Sequence, residues 1–186
     1  MGHGGNVIAE LTTDHRETDE LFARIEAQPV GDEQRRKLAD ELTVELVRHS
    51  VAEETHLYPV VRRYVDDGDD MADEELEDHA RVEQHLKELE GLPADDPRFD
   101  HLVAQLRLEV TKHVRDEENR LFPLLAAAVS PEILDRLGEK VRAAKQTAPA
   151  HPHPAMPDTP PGDKILGPGA GLVDRTRDLL SGRGKG

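Results

Sequence analysis

Two copies of one histidine and glutamate pattern, 64 residues apart, occur in this chain of 186 residues. The motif His-x-x-x-Glu at residues 49–53 recurs at residues 113–117, and a histidine upstream of each copy recurs with the same offset. The equivalent residues are His15 and His79, His49 and His113, and Glu53 and Glu117. The sequence therefore predicts a duplicated structural unit, in which each copy supplies two histidines and one carboxylate.

Apolar residues recur at steps of three and four along most of residues 6–145, which is the period of an amphipathic α-helix. The histidines and glutamates of the repeat fall within these apolar stripes. The predicted inward positions are Val7, Leu11, His15, Thr18, Phe22 and Ile25; Leu38, Leu42, Leu46, His49, Glu53, Leu57 and Val60; Leu76, His79, Val82, Leu86 and Leu89; and Leu102, Leu106, Val110, His113, Glu117, Leu121 and Leu124. Four helices with short connections predict an all-α fold, an antiparallel up-down-up-down four-helix bundle.

Prolines and glycines divide the rest of the chain. Pro59 and Pro123 follow the histidines of the second and fourth helices, where a kink or a helix end is expected. Ser130-Pro131 resembles a helix start, which predicts a short fifth helix to about residue 145. We therefore assign residues 1–146 to the domain. Residues 147–186 form a tail rich in proline and glycine, expected to be mostly disordered apart from a short amphipathic helix over 171–180.

Composition narrows the classes of partner and chemistry. The formal net charge of −15 argues against nucleic acid and anionic membranes as partners, and it favours retention of cations. The absence of cysteine excludes disulfides, thiolate zinc sites and iron–sulfur clusters. No apolar stretch approaches the roughly 20 residues that a membrane helix requires, and no secretory signal is visible. A cytoplasmic protein is the expectation.

Histidine and glutamate four residues apart lie on one face of a helix, so both side chains reach the same point of the bundle interior. Three explanations are open for so many inward polar groups: a solvated groove, a network of internal ion pairs, or metal. Duplication in the same order favours metal. Imidazole and carboxylate without thiolate suit iron, manganese or zinc. Glu53 and Glu117 are the best candidates to bridge two ions. His15 and His49 would serve one ion, and His79 and His113 the other, a pairing that the spacing leaves open.

Taken together, the motif resembles the hemerythrin-like HHE cation-binding domain, over residues 6 to about 145. The resemblance rests on the six repeated residues and on the sequences Leu57-Tyr58-Pro59 and Leu121-Phe122-Pro123 after Glu-Glu. The tail is similar to that of actinobacterial members. The resemblance implies a four-helix bundle with two iron ions in a non-haem di-iron centre, joined by an oxo or hydroxo bridge. It also implies a small-molecule ligand, namely peroxide, dioxygen or nitric oxide.

The chain departs from the oxygen-carrying hemerythrins at a ligand position. Where those proteins have a second histidine, four residues after that of the third helix, this sequence has Glu83, and Asp19 occupies the matching place in the first helix. A carboxylate in place of imidazole favours ferric iron and predicts a poor reversible oxygen carrier that can cycle peroxide. The predicted metal ligands are therefore His15, His49, Glu53, His79, Glu83, His113 and Glu117. Asp19 is equally well explained by a surface ion pair.

Tyr58 has Phe122 as its repeat partner, so an aromatic ring here mainly fills the core. In the functional alternative, the phenol is a catalytic group beside the iron pair, as a hydrogen-bond donor or radical trap. Glu54 and Glu118 lie off the ligand face and are expected to be solvated or to support the ligands from behind.

Two functions follow from this interpretation, and a third alternative is metal binding without redox chemistry. The first is a peroxide-decomposing, catalase-like di-iron enzyme that acts in oxidative-stress defence. The second is a module that binds or senses oxygen, nitric oxide or iron without turnover. The third is a structural or zinc-bound bundle. The absence of an attached output domain and the carboxylate-rich ligand set favour the first.

Overall fold

A computed structural model describes residues 4–148 of the chain. Residues 149–186, which include the predicted short helix of the tail, lie outside the described residues. Between residues 4 and 148 the regular structure is entirely helical, as the sequence predicted. The α-helices are α1 (Val7–Glu26), α2 (Glu33–Ala52), α3 (Tyr58–Tyr64), α4 (Gly68–Leu89), α5 (Pro97–Asp116), α6 (Phe122–Ala128) and α7 (Pro131–Thr147).

Two pairs of consecutive helices each form one long helix, α2 with α3 and α5 with α6. The bundle therefore has four members, which are these two long helices together with α1 and α4. Side-chain caps begin three of them, because Asn6, Asp32 and Asp96 each accept a hydrogen bond from a backbone N–H in the first turn of the following helix. Short connections join neighbouring members, which makes them antiparallel. The predicted four-helix bundle is confirmed.

A π-helical turn joins the helices of each pair, at Glu53–Leu57 and at Glu117–Leu121. In these turns Tyr58 N–H donates to Glu53 O, and Phe122 N–H donates to Glu117 O, five residues back instead of four. The following prolines, expected to kink or end the helix, have no N–H to complete the α-helical pattern. The helix instead widens by one residue directly at the repeated glutamates, a common feature of functional sites.

The extra residue changes which side chains face inward beyond each π-helical turn. Leu124 is 45 % exposed, so its predicted inward position is wrong, whereas Val60 is half-buried and still packs against apolar residues of the core. Val61 and Leu125, one residue later, are completely buried instead. A prediction based on 3.6 residues per turn misses this shift, because it assumes a continuous α-helix.

The core consists of two apolar clusters with a polar layer between them. The first cluster includes Phe22, Leu42 and Leu46, and the second includes Leu57 and Leu121. The repeated histidines and glutamates lie in the polar layer, between residues of the first cluster and residues of the second. Apolar packing on both sides therefore holds these polar side chains away from solvent.

The fifth helix of the sequence prediction, α7, is 17 residues long and so is not short. Leu134, Leu137 and Val141 bury its apolar face in the second cluster. Gly138 allows a close approach to the start of α1, because a Cβ atom there would lie 2.6 Å from Gly5 O. None of the described helices combines the length and the apolar character needed to cross a bilayer.

Candidate metal centre

The six repeated histidines and glutamates come together in the polar layer, and all six are buried. The His15 and His49 rings have centroids 5.1 Å apart, and those of His79 and His113 are 4.8 Å apart. The rings of His49 and His113 are more distant, at 6.5 Å. The four imidazoles thus form two pairs, His15 with His49 and His79 with His113. The spacing in the sequence suggested this pairing but left it undecided.

Glu53 lies between the two histidine pairs. Its Oε1 is 3.1 Å from His49 Nε2, and its Oε2 is 3.3 Å from His79 Nε2. Glu53 Oε2 also lies 3.9 Å from His113 Nε2. One carboxylate therefore has an oxygen towards each pair, which is the arrangement that bridging of two ions requires.

Glu117 occupies the repeat-related position. Its Oε2 lies 3.3 Å from His15 Nε2 and 3.6 Å from His113 Nε2, so it too contacts one histidine of each pair. Ligand atoms of His15, His49, Glu53 and Glu117 lie within 4.8 Å of one another, as do those of Glu53, His79 and His113. Glu53 is common to both groups.

Buried atoms without hydrogen-bond partners support a metal at this point. Nε2 of His15 and His113, Oε1 of Glu53 and Oε2 of Glu117 are buried and make no hydrogen bond among the described residues. Buried polar atoms are normally hydrogen-bonded, and four such exceptions in one place need an explanation. Imidazole nitrogens and carboxylate oxygens are the ligands that iron binds in proteins. The residues present therefore fit bound metal.

Each imidazole has a second carboxylate at Nδ1, on the side away from the centre. The pairs are His15 with Glu118 at 2.9 Å, His49 with Asp14 at 3.2 Å, His79 with Glu54 at 3.0 Å, and His113 with Glu75 at 2.8 Å. A hydrogen bond from Nδ1–H to a carboxylate fixes the tautomer and turns Nε2 towards the metal. The four carboxylates thus orient all four rings. For Glu54 and Glu118 this is the supporting role expected from the sequence.

The internal repeat preserves one of these contacts between a histidine and a carboxylate, and it changes another. Glu54 and Glu118 are repeat partners, as are the histidines that they contact. The repeat partner of Asp14 is Asp78, but Asp78 pairs with Lys112 and Arg81. Glu75 contacts His113 in its place. The two halves of the centre therefore differ at His113.

Sequence reasoning missed Asp14 and Glu75. Glu75 precedes His79 by four residues, the same spacing that relates His49 to Glu53, so periodicity offered a signal for it. Asp14 carried no such signal, because it is adjacent to His15 and its role depends on a helix 35 residues away in sequence.

Burial and the neighbouring charges shift the pKa values in the metal-free centre. Burial by itself lowers the pKa of His79, but hydrogen bonds to Glu53 and Glu54 outweigh it and raise the pKa to about 9. Burial and then repulsion from His79 hold the pKa of His113 well below its usual value. For Glu75, burial first and repulsion from Glu117 second raise the pKa to about 10. The metal-free centre therefore retains protons that metal ions would displace.

Tyr58 lies within the centre as well as in the core. Its hydroxyl group is 3.2 Å from His79 Nε2, 3.4 Å from Glu117 Oε1 and 3.5 Å from Glu53 Oε2. In a continuous α-helix, residues five apart point in different directions, and the π-helical turn brings Tyr58 onto the face of Glu53. Burial, followed by repulsion from the surrounding carboxylates, raises its pKa well above the usual value. Tyr58 is therefore a protonated hydrogen-bond donor.

Two carboxylates named from the sequence lie apart from the centre. Glu83 is buried, but its Oε1 lies 3.1 Å from Lys87 Nζ, and Glu83 belongs to none of the metal-binding groups of the described residues. Asp19 is exposed and pairs with Arg107 at 2.8 Å. Neither side chain belongs to a group of possible metal ligands among residues 4–148, and a ligand role for Glu83 stays a prediction.

Comparison with known proteins places the chain in a family. Residues 6–125 match the sequence profile of the Hemerythrin HHE cation binding domain. An uncharacterized hemerythrin-like protein of Schizosaccharomyces pombe is 30 % identical over 137 residues, which cover 73 % of this chain and 68 % of that protein. A DNA nickase of Nostoc is 29 % identical over 75 % of this chain but only 39 % of its own length.

The fold has a counterpart among solved structures. A hemerythrin HHE cation-binding domain-containing protein from Mycobacterium kansasii superimposes with a TM-score of 0.68, at 24 % identity, over 76 % of this chain and 86 % of that one. The likeness shows a common helical fold. The profile match and the yeast relative agree with the duplicated histidine and glutamate motif. On this evidence, the chain is a member of the hemerythrin HHE cation-binding domain family.

Proposed function

We propose that this protein binds two iron ions and decomposes hydrogen peroxide in a catalase-like reaction, in defence against oxidative stress. The observation that carries the proposal is the set of buried imidazole nitrogens and carboxylate oxygens that face one another without hydrogen-bond donors. His15 and His49 would hold one ion, and His79 and His113 the other. Glu53 and Glu117 would contact both.

Catalase-like decomposition of peroxide is compatible with the residues of this centre. Bound iron would supply a redox couple, and two molecules of peroxide give two of water and one of dioxygen without an external reductant. Tyr58 is placed to donate a hydrogen bond to a small oxygen-containing ligand, since its hydroxyl group lies beside His79 and both glutamates. The apolar clusters on either side keep bulk water from the centre.

The test combines metal analysis with a peroxide assay on the full-length chain produced in iron-replete cells. We expect about two irons per chain, an absorption band typical of an oxygen-bridged iron pair, and dioxygen released on addition of peroxide. The E53Q variant should lose iron, whereas D19N, which alters a surface carboxylate, should keep it. The Y58F variant should retain iron and release dioxygen about a hundredfold more slowly, the lower end for loss of one hydrogen-bond donor in a catalytic site.

Three outcomes would each contradict a different part of the proposed function. Iron-loaded protein that releases no dioxygen would contradict the peroxide reaction. Protein without iron, but folded, would contradict the metal centre as well. Equal rates for Y58F and the unmodified chain would contradict the role of Tyr58 alone.

A sensing function is the second candidate, and one set of contacts favours it. Asp14 accepts a hydrogen bond from His49 and also pairs with Lys145 of α7. Arg142 of the same helix pairs with Glu10 of α1. Metal or ligand binding at His49 could thus change the docking of α7 and report occupancy. Ligand-dependent protection of α7 from hydrogen exchange, without peroxide turnover, would support this function over the first.

A further inference from the structure

An open cavity of about 590 Å³ lies between α4 and α5 and leads towards the metal centre. Thr111, Lys112 and Asp116 of α5 line it, together with Asp78 of α4. Glu75, which is 1 % exposed, is also part of its lining. Since Glu75 contacts His113 at 2.8 Å, a single side chain separates this cavity from a histidine of the centre.

Glu75 differs in its surroundings from the other three carboxylates that orient the histidines. Glu118 is held by Arg16 at 2.7 Å, and Asp14 is held by Lys145. Glu54 is buried at His79. Among these four carboxylates of the described residues, Glu75 is the one that lines the cavity.

One oxygen of Glu75 faces outward from the centre. Its Oε2 contacts His113, whereas its Oε1 is buried and receives no hydrogen bond from the described residues. The carboxyl groups of Glu75 and Asp116 lie within hydrogen-bonding reach of each other. Two carboxylates this close, one of them buried without a donor, form an arrangement that a divalent cation stabilises.

Basic side chains at the rim of the cavity pair with its carboxylates, including Asp116. Arg120 pairs with Asp116 at 2.6 Å and with Glu74, and Lys112 pairs with Asp78 at 2.9 Å. The inner end of the cavity is therefore carboxylate at Glu75, while its rim has charges of both signs. An entering cation would exchange its water ligands for carboxylate oxygens from the rim inward.

We propose that this cavity is the route by which iron(II) reaches the buried centre, with Glu75 and Asp116 as a first cation-binding site. Ligand atoms of Glu75, His113 and Glu117 lie within 4.8 Å of one another, so a cation held by Glu75 has two ligands of the centre within reach. Glu75 passes the ion from the cavity to His113 and Glu117. The proposal rests on the proposed function, because it supplies the centre described above.

The test measures the rate of iron(II) uptake by the metal-free, full-length chain without oxygen, by rapid mixing followed by removal of free iron and metal analysis. In E75Q the amide oxygen can still accept the hydrogen bond from His113, but the side chain can no longer bind a cation as a carboxylate. The D116N variant removes the outer anion without touching a predicted ligand of the centre. Both variants should take up iron at least about tenfold more slowly, and D116N should reach the same final iron content as the unmodified chain.

The control is D19N, which removes a surface carboxylate that pairs with Arg107 and does not line the cavity. It should take up iron at the rate of the unmodified chain. Unchanged rates in E75Q and D116N, with normal iron content in the unmodified chain, would overturn the route and leave the centre intact. An equal slowing in D19N would overturn it too. If the unmodified chain takes up no iron, the proposed function fails together with the route.

Discussion

At the scale of single residues, the centre depends on a division of work between the two nitrogens of each imidazole. Carboxylates at Nδ1 orient the rings, and the Nε2 atoms face inward. In the metal-free chain, the inward atoms instead contact Glu53 and Glu117. Metal ions must therefore compete with protons for the same positions.

This competition predicts that metal affinity rises with pH. The pKa of His79 is about 9 in the metal-free chain, above its ordinary value of 6.5, so His79 is protonated at neutral pH and must release its proton to bind metal. The apparent affinity for cobalt(II), an oxygen-stable substitute for iron(II), should rise about tenfold per pH unit from pH 6 to 8 for each proton displaced. Competition against a chelator of known affinity measures it.

The H79A variant is the control, because it lacks the group that retains this proton. It should bind cobalt(II) more weakly, and with a smaller dependence on pH. An affinity of the unmodified chain that is constant over this pH range would contradict the linkage.

Glu83 and Glu75 show how far the sequence identifies site residues. Both lie four residues from His79, so helical periodicity places either one on the face of the histidine. Lys87 contacts Glu83, whereas His113, on another helix, contacts Glu75. The choice between the two glutamates depends on partners from packed neighbours, which periodicity along one helix does not contain.

At the scale of helices, the π-helical turns and α7 position the centre. Each π-helical turn begins at a repeated glutamate, and the first one brings Tyr58 to the same face as Glu53. The sequence shows the proline that follows each π-helical turn, but it does not predict that the helix widens there. The proline restricts the backbone, and packing of the bundle decides whether the helix ends, bends or widens.

Because α7 lies close to the start of α1, one methyl group added at Gly138 should destabilise the folded chain. In G138A, the added Cβ would lie 2.6 Å from Gly5 O and 2.8 Å from Asn6 C, so the helix must move away from α1. We expect a loss of about 1–3 kcal/mol in the free energy of unfolding, typical of overpacking. Denaturant unfolding of the full-length chain measures this loss. An alanine substitution at the exposed Glu139 is the matched control, and equal stability of both variants would contradict the close approach.

At the scale of the whole molecule, the polar layer carries an energetic cost that bound metal would offset. Four histidines and several carboxylates are buried between two apolar clusters, where charged groups are expensive unless paired. A metal that binds the folded chain but not the unfolded one adds stability in proportion to the logarithm of its concentration over Kd.

Removal of iron should therefore lower the melting temperature of the chain. At an iron concentration 100 times Kd the stabilisation is about 2.7 kcal/mol, which corresponds to several degrees in Tm for a domain of this size. Calorimetry before and after chelation measures the difference. The E53Q variant should show a much smaller change on chelation. An unchanged Tm of the unmodified chain after complete loss of iron would contradict the coupling of metal binding to folding.

The sequence by itself determined the helical class, the bundle and the convergence of six side chains, because these follow from local periodicity and from a duplication that preserves it. The shift of inward positions to Val61 and Leu125, and the roles of Asp14 and Glu75 behind His49 and His113, were decided by the tertiary structure alone. The reason is physical. Periodicity along a chain says which residues share a face, but which atoms then meet depends on the approach of other helices and on the local winding of each one.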